Sequence, residues 1–179
     1  MNMTATSEQL KFPIGKFVKP DGLTEAQRAT LIEELAKVPA KLKKATAGLN
    51  DEQLDTPYRP DGWTVRQVVH HLADASINQY TRFKLALTED NPTIKPFEED
   101  PWASFADSKL PIASSIALLD GLFDRWMALL RAMSAEDFAR TLVHPASSRM
   151  DLNLLLPFCV WHGKHHIAHI TSLRERMGW

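Results

Sequence analysis

The chain has 179 residues and a formal net charge of −1; 44% of its residues are hydrophobic, 24% are charged, and one is cysteine. That length suits a single domain spanning 1–179 around one core. The near-neutral balance, with no basic face or tail, argues against a nucleic-acid partner, the lone Cys159 excludes an intrachain disulfide, and no run of about 18 apolar residues is present to cross a membrane.

Residues 1–22 read as an extended arm punctuated by Pro13, Gly15, Pro20 and Gly22, with Phe12, Ile14 and Phe17 available for docking. The polar stretch Met1–Leu10 lacks the apolar centre of a signal peptide, so a cytoplasmic location is the default expectation. Thr24-Glu25-Ala26-Gln27 is a capping box, in which hydroxyl and amide satisfy the first free backbone amides reciprocally. It opens a helix through Leu31, Leu35, Val38, Leu42 and Ala45, which Pro39 is expected to kink because it lacks an amide hydrogen. The lysines of 41–44 read as a solvated helix face.

Residues 48–62, rich in Asp, Pro and Asn, form a connector. Thr64-Val65-Arg66-Gln67 is a second capping box and starts a helix over about 64–88, carrying Val68, His71, Leu72, Ala75, Tyr80, Phe83 and Leu87. Residues 89–111 form a long insertion with four prolines and the aromatics Phe97, Trp102 and Phe105; connections this long are usually functional or packed. A third helix spans about 112–133. Ser134 can cap a short following turn, and 141–150 reads as a loop with at most a short extended piece. The last helix runs from near Asp151 to about Met177, with Gly178 as its stop. Pro157 requires either a later start, near 154, or a kink before the histidines. No strand pattern of useful length is present. The fold class is all-α: four main helices in a bundle, an N-terminal arm, and a long loop between the second and third helices.

Six of the seven histidines fall in two clusters, His70-His71 and the run Trp161-His162-Gly163-Lys164-His165-His166-Ile167-Ala168-His169. Imidazole is the commonest ligand for divalent transition metals. A four-residue step turns a helix through about 400°, so His162 and His166 share a face, as do His165 and His169. Spacing does not choose between the pairs. On the second helix His70 and His71 diverge by about 100°, so only one faces a given site. His71 lies on a stripe with Ala75, Asn78 and Arg82, and Asp74 is spaced to hydrogen-bond a ligand histidine. Two ligands from one helix and one from another leave open coordination positions, the pattern of a catalytic rather than a structural metal. His70 and His165 read as exposed or as hydrogen-bonding neighbours of the ligands, Cys159 as a small buried apolar residue, and His144 as without a role. No Gly-rich phosphate loop, His-Glu-x-x-His run or Gly-x-Ser-x-Gly elbow occurs.

With Leu54-Asp55-Thr56-Pro57-Tyr58-Arg59, Gly62-Trp63 running through His70-His71-Leu72-Ala73-Asp74, Arg82-Phe83-Lys84 and the Trp161–Ile170 run, the chain resembles the DinB/YfiT superfamily of metalloenzymes, its YfiT-like branch in particular. The resemblance spans most of the chain, including the Phe12–Gly15 arm. It implies a four-helix bundle and one divalent metal per chain, zinc or nickel, held by His71, His162 and His166. It also implies a small-molecule substrate and a homodimer. YfiT-like members are described as metal-dependent hydrolases, and some relatives as transferases joining a low-molecular-weight thiol such as bacillithiol to electrophiles. Pro157 and Cys159 depart from the helix formers expected before the last motif.

A cation held by three neutral imidazoles suits either chemistry: it lowers the pKa of a bound water to about 7, or it keeps a thiol as thiolate. Asn78 and Arg82 are candidates to hold substrate, and 89–111 a candidate lid or partner surface. The alternative is a non-catalytic metal-binding or dimerisation module, in which His165, His169 or Cys159 would close the ligand shell.

Overall fold

A computed structural model describes residues 6–146 and 148–179; positions 1–5 of the expected arm lie outside the described residues. The architecture is the expected bundle of four helical columns, with a small hairpin added.

The first column is broken rather than kinked. Helix α2 (Glu25–Leu35) starts on the Thr24–Gln27 capping box, and α3 (Val38–Thr46) restarts with Pro39 in its first turn. There the missing N–H needs no intrahelical partner, which is why the chain breaks at Ala36–Lys37 instead of bending at the proline. Ahead of it, Thr6 caps a short helix α1 (Ser7–Lys11), so the arm is partly helical where an extended segment is expected. The single turn α4 (Asp51–Leu54) leads to the second column, α5 (Val65–Thr88), opened by Thr64 and Gln67.

The 89–111 insertion contains α6 (Glu99–Trp102) and a 3₁₀ turn (Ala106–Lys109). It is tied to the face of α5: Gln67 Nε2 donates to the Ala103 carbonyl at 2.8 Å and His70 Nε2 to the Leu110 carbonyl at 2.9 Å. The third column is α7 (Ala113–Ala132), followed by the Ser134-capped α8 (Ala135–Ala139).

Where a loop is expected, Thr141–His144 (β1) and Ser148–Asp151 (β2) pair antiparallel, Thr141 opposite Asp151 and Val143 opposite Arg149. β-Branched residues flank Leu142, which is fully buried. Val143 also exchanges backbone hydrogen bonds with the 92–94 segment, giving so short a hairpin a third neighbour.

The fourth column, α9 (Leu152–Met177), begins at Asp151, whose carboxylate accepts from Leu154 N at 2.8 Å, and ends at Gly178 in the left-handed region. The helix starts at Leu152, ahead of the later start near 154, and continues through Pro157. α9 packs on α2, α3 and α5, while α5 also packs on α7. Between them Trp126 is fully buried, edge-on to Phe83 and Phe123. No described helix is long and apolar enough to cross a membrane.

Candidate metal centre

Helices α5 and α9 bring His71, His162 and His166 together, one ring nitrogen of each within 4.8 Å of the others. All three are buried, at 3%, 9% and 8% exposure. His71 Nε2 lies 3.3 Å from His162 Nε2. The His166 ring centroid is 4.6 Å from that of His71 and 4.5 Å from that of His162. The one-turn step along α9 supplies the second distance. The close approach of α9 to the first column fixes where the helix sits, since a Cβ on Gly163 would come 2.8 Å from Val38 Cγ2.

Burial, reinforced by the neighbouring imidazoles, pushes the pKa values of His162 and His166 well below the usual histidine range, and burial lowers His71 to about 4 despite the opposing charge of Asp100. At neutral pH all three rings are therefore neutral, the state a metal requires of its ligands. The arrangement fits a tetrahedral ion: two imidazole nitrogens at the usual Zn–N bond length are about 3.3–3.4 Å apart, close to the His71–His162 separation. Nδ1 of His166 is, moreover, a buried nitrogen without a hydrogen-bond partner among the described residues.

Trp63 stands over the cluster, 4.6 Å from the His71 ring and stacked 6.1 Å from His166, with its Nε1 donating to Asp100 Oδ1 at 3.0 Å. A pocket of about 380 Å³ opens onto His162 and His166. Phe12, Tyr58, Phe158 and Trp161 wall it, and Glu99 and Asp100 of α6 stand at its rim. Sequence reading missed Tyr58, Trp63 and the Glu99–Asp100 pair. Only Trp63, directly before a capping box and eight residues ahead of His71, carried a local signal.

The other candidates are placed differently. His165 and His169 are buried beside the cluster but outside the three-nitrogen group. His165 stacks on Trp161 at 4.6 Å, whereas His169 stacks on Tyr58 at 3.9 Å and its Nε2 donates to the Lys11 carbonyl at 3.1 Å. Cys159 is buried, which pushes its thiol pKa far up. His70 is buried, not exposed; with Nε2–H spent on Leu110, its Nδ1 accepts the Ser115 hydroxyl at 2.7 Å. His144 sits at the hairpin end, its Nδ1 accepting from Ala146 N.

Among the described residues the Asp74 carboxylate makes no hydrogen bond to His71; burial, reinforced by the charge of Asp107, raises its pKa. Asn78 returns its amide to the Asp74 carbonyl at 2.9 Å. Arg82 is half-buried, its pKa lowered by burial against the opposing charge of Glu99, and its own charge adds to the depression of His162.

A helical bundle that gathers three neutral, buried histidines beneath an aromatic pocket has the geometry to fit a metal ion. The DinB superfamily model matches residues 34–170, and the chain belongs to that superfamily. It is 50% identical over 170 residues to a Bacillus cereus (strain B4264) protein named "putative metal-dependent hydrolase", covering 95% of this chain and 98% of that one. A Bacillus thuringiensis subsp. konkukian protein of the same name is 49% identical over the same span. YfiT from Bacillus subtilis, described as "a probable metal-dependent hydrolase with an unusual four-helix bundle topology", superposes with a TM-score of 0.93 at 48% identity, covering 96% of this chain and 99% of that one.

Proposed function

We propose that this chain is a metal-dependent hydrolase of small molecules in which His71, His162 and His166 hold one divalent cation, zinc or nickel. The observation that carries the reading is the buried cluster itself, with its 3.3 Å nitrogen separation and no competing hydrogen-bond partner for His166 Nδ1. Such a cation, when bound, supplies Lewis acidity and a nucleophile at neutral pH. The chain's own contribution is to keep the ligand rings neutral by burial, to orient them by packing against Trp63 and Phe97, and to shield the pocket from bulk water with its aromatic walls. The half-buried Arg82 and Asn78, on the stripe of His71, are the residues proposed to hold substrate. Transfer of a low-molecular-weight thiol draws on the same cation chemistry; the names carried by the relatives favour hydrolysis.

The test is elemental analysis of protein purified without chelator, followed by a panel of esters, amides and electrophiles with and without added thiol. About one zinc or nickel per chain, lost in both His71→Ala and His162→Ala, is the expected result. Metal retained in both variants, or absent from the wild type, would overturn the site. Turnover that requires thiol would move the assignment to transferase.

A further inference from the structure

Arg82 stands apart from the other arginines of the chain. Those that are not exposed, Arg28, Arg59, Arg66 and Arg174, each place the guanidinium on oxygen atoms of the chain. Arg82 is half-buried on α5, and among the described residues its guanidinium makes no hydrogen bond and no ion pair. A cation drawn out of water without a partner destabilises a fold, so the chain keeps this one against its own stability. The residue also retains surface by which a ligand can reach it.

Its surroundings tie it to the metal centre. The charge of Arg82 acts on His162 of α9, on the neutral Cys159 thiol one turn before it, and on His144 of the hairpin. Glu99 of α6 opposes it from outside ion-pair distance and also lines the pocket that opens onto His162 and His166. The guanidinium therefore lies between α9 and the insertion, on the flank of that pocket. Arg82 is eleven residues beyond His71 on α5, but helical side chains lean back towards the N-terminus, here towards His71. Along α9 the step from Cys159 to His162 is roughly one turn, about 5 Å.

A planar, permanently charged fork with its donors free suits a carboxylate, which it can hold through two parallel hydrogen bonds. The charge balance favours the same ligand. With the divalent cation of the proposed function in place, that ion and Arg82 outweigh the carboxylates of Glu99 and Asp100 by about one charge, and Asp100 already accepts from Trp63. One further negative charge restores neutrality. A phosphate dianion would exceed it and finds no Gly-rich loop to supply backbone donors, while an ammonium would face both cations.

We infer that Arg82 recognises a carboxylate on the substrate and so holds the bond to be hydrolysed a few atoms away, at the three-histidine cluster. The substrate class is thus a small monocarboxylate. The inference rests on the proposed function for the cation and deepens it by naming what the site takes.

The experiment is calorimetric titration of the protein as purified, at neutral pH, with 3-phenylpropionate, 3-phenylpropanol and 3-phenylpropylamine, which share one body, and with phenyl phosphate as a dianion. The carboxylate is expected to bind about tenfold or more tightly than any of the others. Arg82→Gln is expected to bring it down to the affinity of the alcohol with metal content unchanged, and Arg82→Lys, which keeps the charge but not the fork, to lose part of the preference. Glu99→Gln is expected to tighten carboxylate binding, because it removes the opposing charge. No binding of 3-phenylpropionate up to about 10 mM, or tighter binding of phenyl phosphate, would overturn the inference. So would a preference that survives Arg82→Gln and disappears on chelation, since the cation would then be the carboxylate's partner. Weaker carboxylate binding in Glu99→Gln, with the same fall in Tm as in Arg82→Gln, would also overturn it by showing that the two residues serve only each other. An Arg82-dependent preference in protein that holds no metal would sink the proposed function and leave the recognition standing.

Discussion

His70 and His71 are adjacent in the chain and differ in everything else, because about 100° of helix separates their side chains. His71 faces α9 and the other two rings. His70 faces the insertion and α7, where it joins Leu110 to Ser115. The sequence shows that only one of them can serve a given site, but its partners lie 40 and 45 residues away in the chain, so the role of the other could not be read. Replacing His70 with Leu strands the Leu110 carbonyl and the Ser115 hydroxyl, a loss of roughly 2–3 kcal/mol. Thermal unfolding should register this as a fall in Tm of roughly 4–12 °C, while elemental analysis finds the metal content of wild type. A variant that loses metal as completely as His71→Ala would show that the two histidines are not separable in this way.

Among the elements, α9 carries most of the site, and its placement depends on a residue with no side chain. Gly163 lies between His162 and His166 of α9, where Val38 of the broken first column approaches too closely for a Cβ. Gly163→Ala gains about 1 kcal/mol of helix propensity and meets a β-branched side chain with one strongly preferred rotamer, at an overpacking cost of about 1–3 kcal/mol. The expected net loss is on the order of 1 kcal/mol, measured by denaturant unfolding. In a Val38→Ala background the clash is gone and the same change should be neutral or stabilising. Additive effects in that double-mutant cycle would disprove the contact. The helices themselves were legible because their signals are local: the Thr24 and Thr64 boxes, Ser134 and Gly178 all act within one turn. The hairpin was not, since its strands are four residues each and owe their pairing to Leu142 in the core and to the 92–94 segment.

At the scale of the whole molecule, burial of neutral imidazoles links stability to pH. His71 and His169 are held at about 4, and His162 and His166 well below the usual histidine range, against about 6.5 in the unfolded chain, with burial the leading cause each time. The unfolded chain therefore binds more protons than the folded one below about pH 6.5, so stability is fully present above that value and falls as the pH drops towards 4. His71 alone accounts for a loss on the order of 3 kcal/mol by pH 4. Calorimetry of chelator-treated protein should show Tm falling steadily between pH 7 and pH 4.5; a flat profile would mean that the rings are solvated. At pH 7 the same chelated protein should keep its helical circular dichroism, because the Trp126–Phe83–Phe123 core lies in the α5–α7 packing and owes nothing to the cluster.

The sequence by itself determined the helices, their caps and the set of histidines able to share a face, because helix geometry and capping depend on residues within about a turn of one another. It left open which pair on α9 meets α5, and the family resemblance alone favoured His162 and His166. Only the tertiary structure decided how the rings lie. The packing of α9 against α5 and α3 rotates His162 and His166 towards His71 and leaves His165 and His169 facing Trp161, Tyr58 and the arm. It also set Glu99 and Asp100 at the pocket rim, through an insertion whose anchors on α5 have no counterpart in local pattern. Side-chain periodicity specifies a face, whereas the identity of the residue opposite depends on contacts between segments far apart in the chain.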